Sequence, residues 1–305
     1  MKVSKKKNDD SFLVTNDSGN GKVGWLLAFV IFLLLTVLIC VLLIIQTRKR
    51  RAAEEAYRLL QEQYEQSLLQ IPEEPADDAQ GLSPDELEKL MNEDDEDAAE
   101  KTVYEAPKKD LDWDELRQLN PDIYAWISIP GTGIEYPVLR KENDNEYYLN
   151  HNLDGSYGLP GVIYTENYNS ADFSDPNTVI YGHNMDDETM FSPLIDFMDE
   201  EKFNGTHFIY IYRENEDPLI YEIFAAYEYP SIHLLLNFDF ENEYVYDQYL
   251  RDILNVGVKG YGFSNVKKDV EINSKMRIVT LSTCTKTHDA SKRYLVTGVL
   301  LNDMV

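Results

Sequence analysis

Cysteine is nearly missing: the 305 residues hold only Cys40 and Cys284. A small secreted domain stapled by disulfides carries paired cysteines, so that architecture is excluded. Cys40 lies inside an apolar run, which leaves Cys284 without a soluble partner. Positive charge is scarce as well, with 28 Lys and Arg against 55 Asp and Glu and a net charge of -27. Nucleic acid is thereby set aside as a partner, because binding phosphates needs a clustered basic face. No group of His, Cys, Asp and Glu has metal-ligand spacing, and no cofactor is called for. The densest acidic stretch, 73–105 with Asp94-Asp95-Glu96-Asp97, lacks the glycine framework of a calcium loop and reads as a solvated, self-repelling spacer.

Val23 to Ile45 is an almost unbroken apolar stretch. At roughly 1.5 Å per residue it is long enough to cross a hydrocarbon core of about 30 Å. A signal peptide has a shorter apolar region and a small-residue cleavage site; here the run is longer and ends in Arg48-Lys49-Arg50-Arg51. It reads as an uncleaved single-span anchor. Lysines and arginines balance on its two flanks, so charge does not orient it. A short tail followed by a long C-terminal region fits N-in, C-out.

Beyond the span, 52–70 is rich in helix formers, with Tyr57, Leu60, Tyr64 and Leu68 at threes and fours, and reads as a stalk helix ended by Pro72 and Pro75. Ser83-Pro84-Asp85-Glu86 opens a short helix. Asp112–Leu119 reads as another, stopped by Asn120-Pro121. The expected organisation is a tail over 1–22, an anchor over 23–46, a helical and acidic linker over 47–109 and a folded domain over 110–305.

That domain is mainly β. Strands are expected at 124–129, 134–139, 161–164, 178–181, 207–212 and 219–227, with two more on either side of Cys284 and Arg293, about eight in all. Many short strands separated by turn signals imply a sandwich or a closed barrel. Glu243–Leu254 has helical spacing in the connection before the Cys284 strand, and a helix there would wall one side of a site.

Thr280-Leu281-Ser282-Thr283-Cys284 ends one strand, and Arg293 starts the next. A cation beside a thiol favours the reactive thiolate; the bland alternative is a buried core cysteine. A cysteine nucleophile in acyl transfer is normally served by an imidazole. His207 and His233 read as structural, one opening a strand and the other in an apolar loop. Between His183, at the end of the 178–181 strand, and His288, in the loop after Cys284, the residues alone leave the choice open.

Thr280–Cys284 with Arg293, preceded by Tyr181-Gly182-His183-Asn184-Met185, resembles the signature pair of the sortases, membrane-anchored cysteine transpeptidases of Gram-positive bacteria. Asn120-Pro121-Asp122-Ile123, Ile129-Pro130-Gly131-Thr132 and Asp144–His151 extend the likeness over roughly residues 111 to 305, and the inserted helix is similar to that of class B members. The resemblance implies an eight-stranded β-barrel with Cys284 as nucleophile, His183 as general acid/base and Arg293 as stabiliser of the oxyanion or substrate. It further implies that Ser282, Tyr181, Asn145 and Leu149 line a groove for the sorting signal. The substrate implied is a secreted protein with a Pro-x-Thr-Gly or Pro-x-Thr-Asn signal. The acceptor is a peptidoglycan-precursor amine or a pilin lysine, met on the outer face of the cell membrane. A peptidase that only hydrolyses shares these residues, and a non-catalytic surface scaffold would use Cys284 as core.

Overall fold

The computed structural model describes Trp25, residues 28–41, 43–45 and 47–48, and residues 104–302 apart from 269 and 271. The chain divides into two compact units, Met1–Lys49 and Arg50–Val305. In the first, Ala28–Ile45 is a helix of 18 residues whose length and composition suffice to cross a membrane. The expected tail over 1–22 and the stalk helix and acidic spacer within 47–103 lie outside the described residues, apart from 47–48.

The second unit is a closed barrel. Strands β1 (Ile123–Ile129), β2 (Ile134–Leu139), β3 (Ile163–Thr165), β4 (Asn177–Tyr181), β5 (Phe208–Tyr212), β6 (Leu219–Pro230), β7 (Ser264–Val266), β8 (Ile278–Cys284) and β9 (Lys292–Leu300) form one sheet in the order β5-β1-β2-β3-β4-β8-β9-β6-β7. Pairing of β5 with β6 closes eight of them into a ring, and β7 adds to β6 outside it. Closure removes the free edges that a sheet of this size would expose. Two ladders are parallel, β2 with β3 and β4 with β8; the others are antiparallel. Parallel neighbours need long crossovers, and it is these crossovers that carry the short helices.

The sequence reads β1 as an alternating strand, yet nearly every residue in it is buried. Its outer face is covered by the segment before α1 (Trp113–Leu119). Tyr212 donates its hydroxyl to the Pro107 carbonyl at 2.8 Å. Lys109, with 1 % of its side chain exposed, lies 2.5 Å from Glu135 Oε2 and over the rings of Trp126 and Tyr212. Pro107 and Lys109, which the sequence assigns to the linker, thus pack on the barrel. The half-buried carboxylate that holds Lys109 also accepts from Trp126 Nε1 at 2.9 Å and from Ser128 Oγ, so one acid satisfies donors from three residues.

Three short helices decorate the β4–β6 crossovers and their neighbours: α2 (Glu200–Phe203), α3 (Leu234–Asn237) and α4 (Glu243–Leu254), the last followed by the single turn α5 (Val256–Lys259). Asn242 caps α4 by accepting from the amides of Tyr244 and Val245. Its buried residues Tyr246, Tyr249, Leu250 and Ile253 recur at the three-and-four spacing of one helix face. That face packs on Val179, Phe224, Ile278, Leu295 and Val299, outside the strands that carry the site. Each such side chain taken out of water stabilises by roughly 1.5 to 3 kcal/mol, and the helix braces β4, β6, β8 and β9 from behind.

Candidate active site

Parallel pairing of β4 with β8 sets Tyr181 beside Ser282, and Gly182 N–H continues the ladder by donating to Ser282 O at 3.1 Å. The next residues of both strands therefore emerge at one rim. Antiparallel pairing of β8 with β9 sets Cys284 directly opposite Arg293 and Ser282 opposite Leu295. Directly opposed residues share a face of the sheet, and side chains two apart on a strand do so too. Tyr181, Ser282, Leu295, Cys284 and Arg293 thus face the same side. Asn184 locks the junction, donating from Nδ2 to the carbonyls of Cys284 and Thr285, both at 3.2 Å. His183, one residue before that clamp, is fixed to the strand end that bears the thiol.

One glycine lets the strand end sit against the core, and another makes room for the imidazole. A Cβ on Gly182 would lie 2.5 Å from Ile163 Cδ1 and 2.6 Å from Phe191 Cδ2, inside the core. At Gly161, φ is +73°, and a Cβ would lie 2.8 Å from His183 Cδ2. His183 Nε2 is 2.9 Å from the Leu149 carbonyl. A carbonyl only accepts, so Nε2 carries the hydrogen, and in the neutral ring Nδ1 is left with a free lone pair. Burial holds the His183 pKa below its ordinary value, partly opposed by the Leu149 hydrogen bond. The ring is therefore neutral at neutral pH and able to take a proton at Nδ1.

Three of the other histidines are engaged elsewhere. His151 stacks on Tyr147 and has Nδ1 2.6 Å from its carbonyl. His207 has Nε2 2.6 Å from Lys202 O and rests against Phe197. His288 is in the exposed loop after Cys284, 3.8 Å from Asp186.

A groove of about 270 Å³ runs from the rim, lined by Leu149, Tyr181, Ser282, Arg293 and the segment Pro230–Leu234. Three of the four residues expected in a signal groove come together there. Asn145 does not line it; its Oδ1 accepts from both the backbone and side-chain nitrogens of Asn167, each at 2.7 Å, which ties two loops together. Nor does α4 line the groove as expected: the wall is the 230–234 segment leading into α3, and α4 stands behind the sheet.

Sequence reasoning missed one groove element. His233, read as a structural loop residue, lines the groove at the N-cap of α3, with Nε2 2.9 Å from Glu166 Oε2. Glu166 is 9 % exposed. Burial, and then Glu166, push the Tyr181 hydroxyl far above the ordinary tyrosine range, so it stays a donor. His233 and Glu166 are 67 positions apart and belong to no shared pattern, so only the fold reveals the pairing.

A model of the Sortase domain matches residues 127–301. Sortase B of Listeria monocytogenes is 35 % identical over 188 residues, which cover 61 % of this chain and 73 % of that protein. Sortase B of Staphylococcus aureus is 30 % identical over 62 % of this chain and 74 % of its own length. Among solved structures, Clostridium perfringens sortase B aligns with a TM-score of 0.52 at 31 % identity, over 61 % of this chain and 98 % of that one. A Streptococcus pyogenes class B sortase involved in pilus biogenesis aligns with a TM-score of 0.51 at 28 % identity, over 62 % and 98 %. Fold and kinship together define a β-barrel cysteine transpeptidase. The chain belongs to the sortase family, and the relatives it matches are class B sortases.

Proposed function

We propose that Cys284 is the nucleophile, His183 the general acid/base and Arg293 the stabiliser of developing negative charge. In this reading Cys284 passes its proton to His183 Nδ1, and the resulting thiolate attacks the threonine carbonyl of a Pro-x-Thr-Gly or Pro-x-Thr-Asn signal bound along Leu149, Tyr181 and Ser282. The tetrahedral oxyanion draws on the permanently charged guanidinium of Arg293. Collapse expels the C-terminal amine, which takes a proton from His183, and leaves a thioester on Cys284. An acceptor amine then restores the thiol. The observation that carries the reading is the register pair Cys284 and Arg293, with Asn184 tying the His183 strand end to the Cys284 carbonyl.

The proposed setting is the outer surface of a Gram-positive cell, with Ala28–Ile45 as a single-pass anchor, the N-terminal tail inside and the folded domain outside. The substrates are secreted proteins bearing the signal, and the acceptor is a cell-wall or pilin amine. The test is to supply the full-length chain in detergent with a signal peptide and an excess of amine, and to separate ligated from hydrolysed product. Ligation is expected to dominate. Hydrolysis alone at every amine concentration would favour a simple peptidase and contradict the transfer step.

A further inference from the structure

Two depressions flank the strand-end rim, and the chain passes through one, over the reactive residues and into the other. Along β4 and the loop after it the order is Tyr181 in the signal groove, His183 at the rim, then Asn184, Asp186 and Glu188 lining a second cavity. On β8 and its loop the order is Ser282 in the groove, Cys284 at the rim, then Lys286 and His288 in that second cavity. This cavity has a volume of about 520 Å³ and is lined as well by Thr132, Met185, Ser192, Pro193 and Ile195. Its walls are pre-formed: Phe191 N–H donates to His183 O at 3.0 Å, and Ser192 Oγ donates to Met185 O at 2.8 Å.

Resting on the proposed transpeptidation, we infer that this second cavity receives the acceptor amine, and that it selects a primary amine carried on a positively charged peptide. A transfer through one sulfur needs two substrates at the same carbon in turn. The groove along Tyr181 and Ser282 still holds the acyl half when the acceptor arrives, so the acceptor enters from the opposite flank. The charged groups lining that flank are Asp186, Glu188 and Asp196 against Lys286 and the titratable His288. Asp196 is paired with Lys202 at 2.9 Å, and Asp186 lies 3.8 Å from His288. The balance is negative, on a chain that is itself strongly acidic. Such a rim concentrates a cationic acceptor and repels a polyanionic one. In the step itself the amine nitrogen bonds to the thioester carbon and the carbon–sulfur bond breaks. The sulfur keeps that electron pair, and the surplus amine proton passes to His183 Nδ1 and on to the thiolate.

The experiment supplies the full-length chain in detergent with a signal peptide and either of two acetylated acceptor peptides. Each acceptor carries one lysine, flanked by arginines in one and by glutamates in the other. The ratio of ligated to hydrolysed product is read at low and high salt. The expected result is a preference of roughly threefold to tenfold for the arginine-flanked acceptor at low salt, shrinking at high salt because the acids are exposed. The double variant Asp186→Asn/Glu188→Gln is expected to lose that preference. Asp239→Asn/Glu241→Gln, an equal change of charge around a different cavity, is expected to keep it. Cleavage with no preference, a preference for the glutamate-flanked acceptor, or a preference that survives in the first variant overturns the assignment. Failure of the wild-type chain to cleave any signal peptide overturns the reading beneath it, a different outcome.

Discussion

His183 shows how much a single side chain depends on a neighbour's lack of one. Gly161 leaves the ring its space, and the Leu149 carbonyl fixes which nitrogen bears the hydrogen. The sequence displayed the dipeptide Gly182-His183 at a strand end but left His288 as a rival; what separates them is the Asn184 clamp, a contact across one hundred positions. Burial disfavours the charged ring. Since the folded pKa lies below the unfolded value, protonating His183 opposes folding, and its contribution to stability falls as pH drops below the ordinary 6.5. An NMR titration of the ring is expected to show a midpoint below 6.5. A midpoint above that value would mean that a charge partner outweighs desolvation.

At the scale of elements, the strands that carry the site were the most legible part of the chain. β8 and β9 are runs of Ile, Val, Thr and Leu, and their ends at Cys284 and near Arg293 were visible from residue type alone. α4 was legible to the residue because Tyr246, Tyr249, Leu250 and Ile253 repeat at helical spacing behind an Asn242 cap. β7 was not, since Ser264-Asn265-Val266 is short and half polar and exists only because β6 offers it an edge. The Asn145 assignment came from likeness to a family, and the structure commits that oxygen to Asn167. The element that aligns the rim is the Asn184 clamp between β4 and β8. Replacing Asn184 with Ala frees the strand end bearing His183 while leaving every barrel ladder intact. The expected loss is roughly tenfold to a hundredfold in kcat with little change in KM, since small misplacements of catalytic groups carry costs of that order. A steady-state assay beside a thermal melt separates this from unfolding; unchanged kcat would mean that the ring is held by Leu149 alone.

For the molecule as a whole, composition signalled many short strands, but not which of them meet to close a ring. That choice rests on the β5–β6 pairing and on the crossovers of the two parallel ladders. The cover over β1 was equally hidden, because Lys109 looks like linker until Glu135, Trp126 and Tyr212 surround it. The β4–β8 and β8–β9 ladders bring a β4 end, a β8 end and a β9 start to one rim, which is what the roles proposed for His183, Cys284 and Arg293 require. The most direct measurement is mass spectrometry of the intact full-length chain, quenched in acid during turnover of a signal peptide with no amine present. The account predicts an added mass equal to the acyl half of the peptide, mapped to Cys284, removed by hydroxylamine and missing in Cys284→Ala. An enzyme that cleaves the peptide but never carries that mass, or carries it undiminished in Cys284→Ala, would contradict the account at its centre.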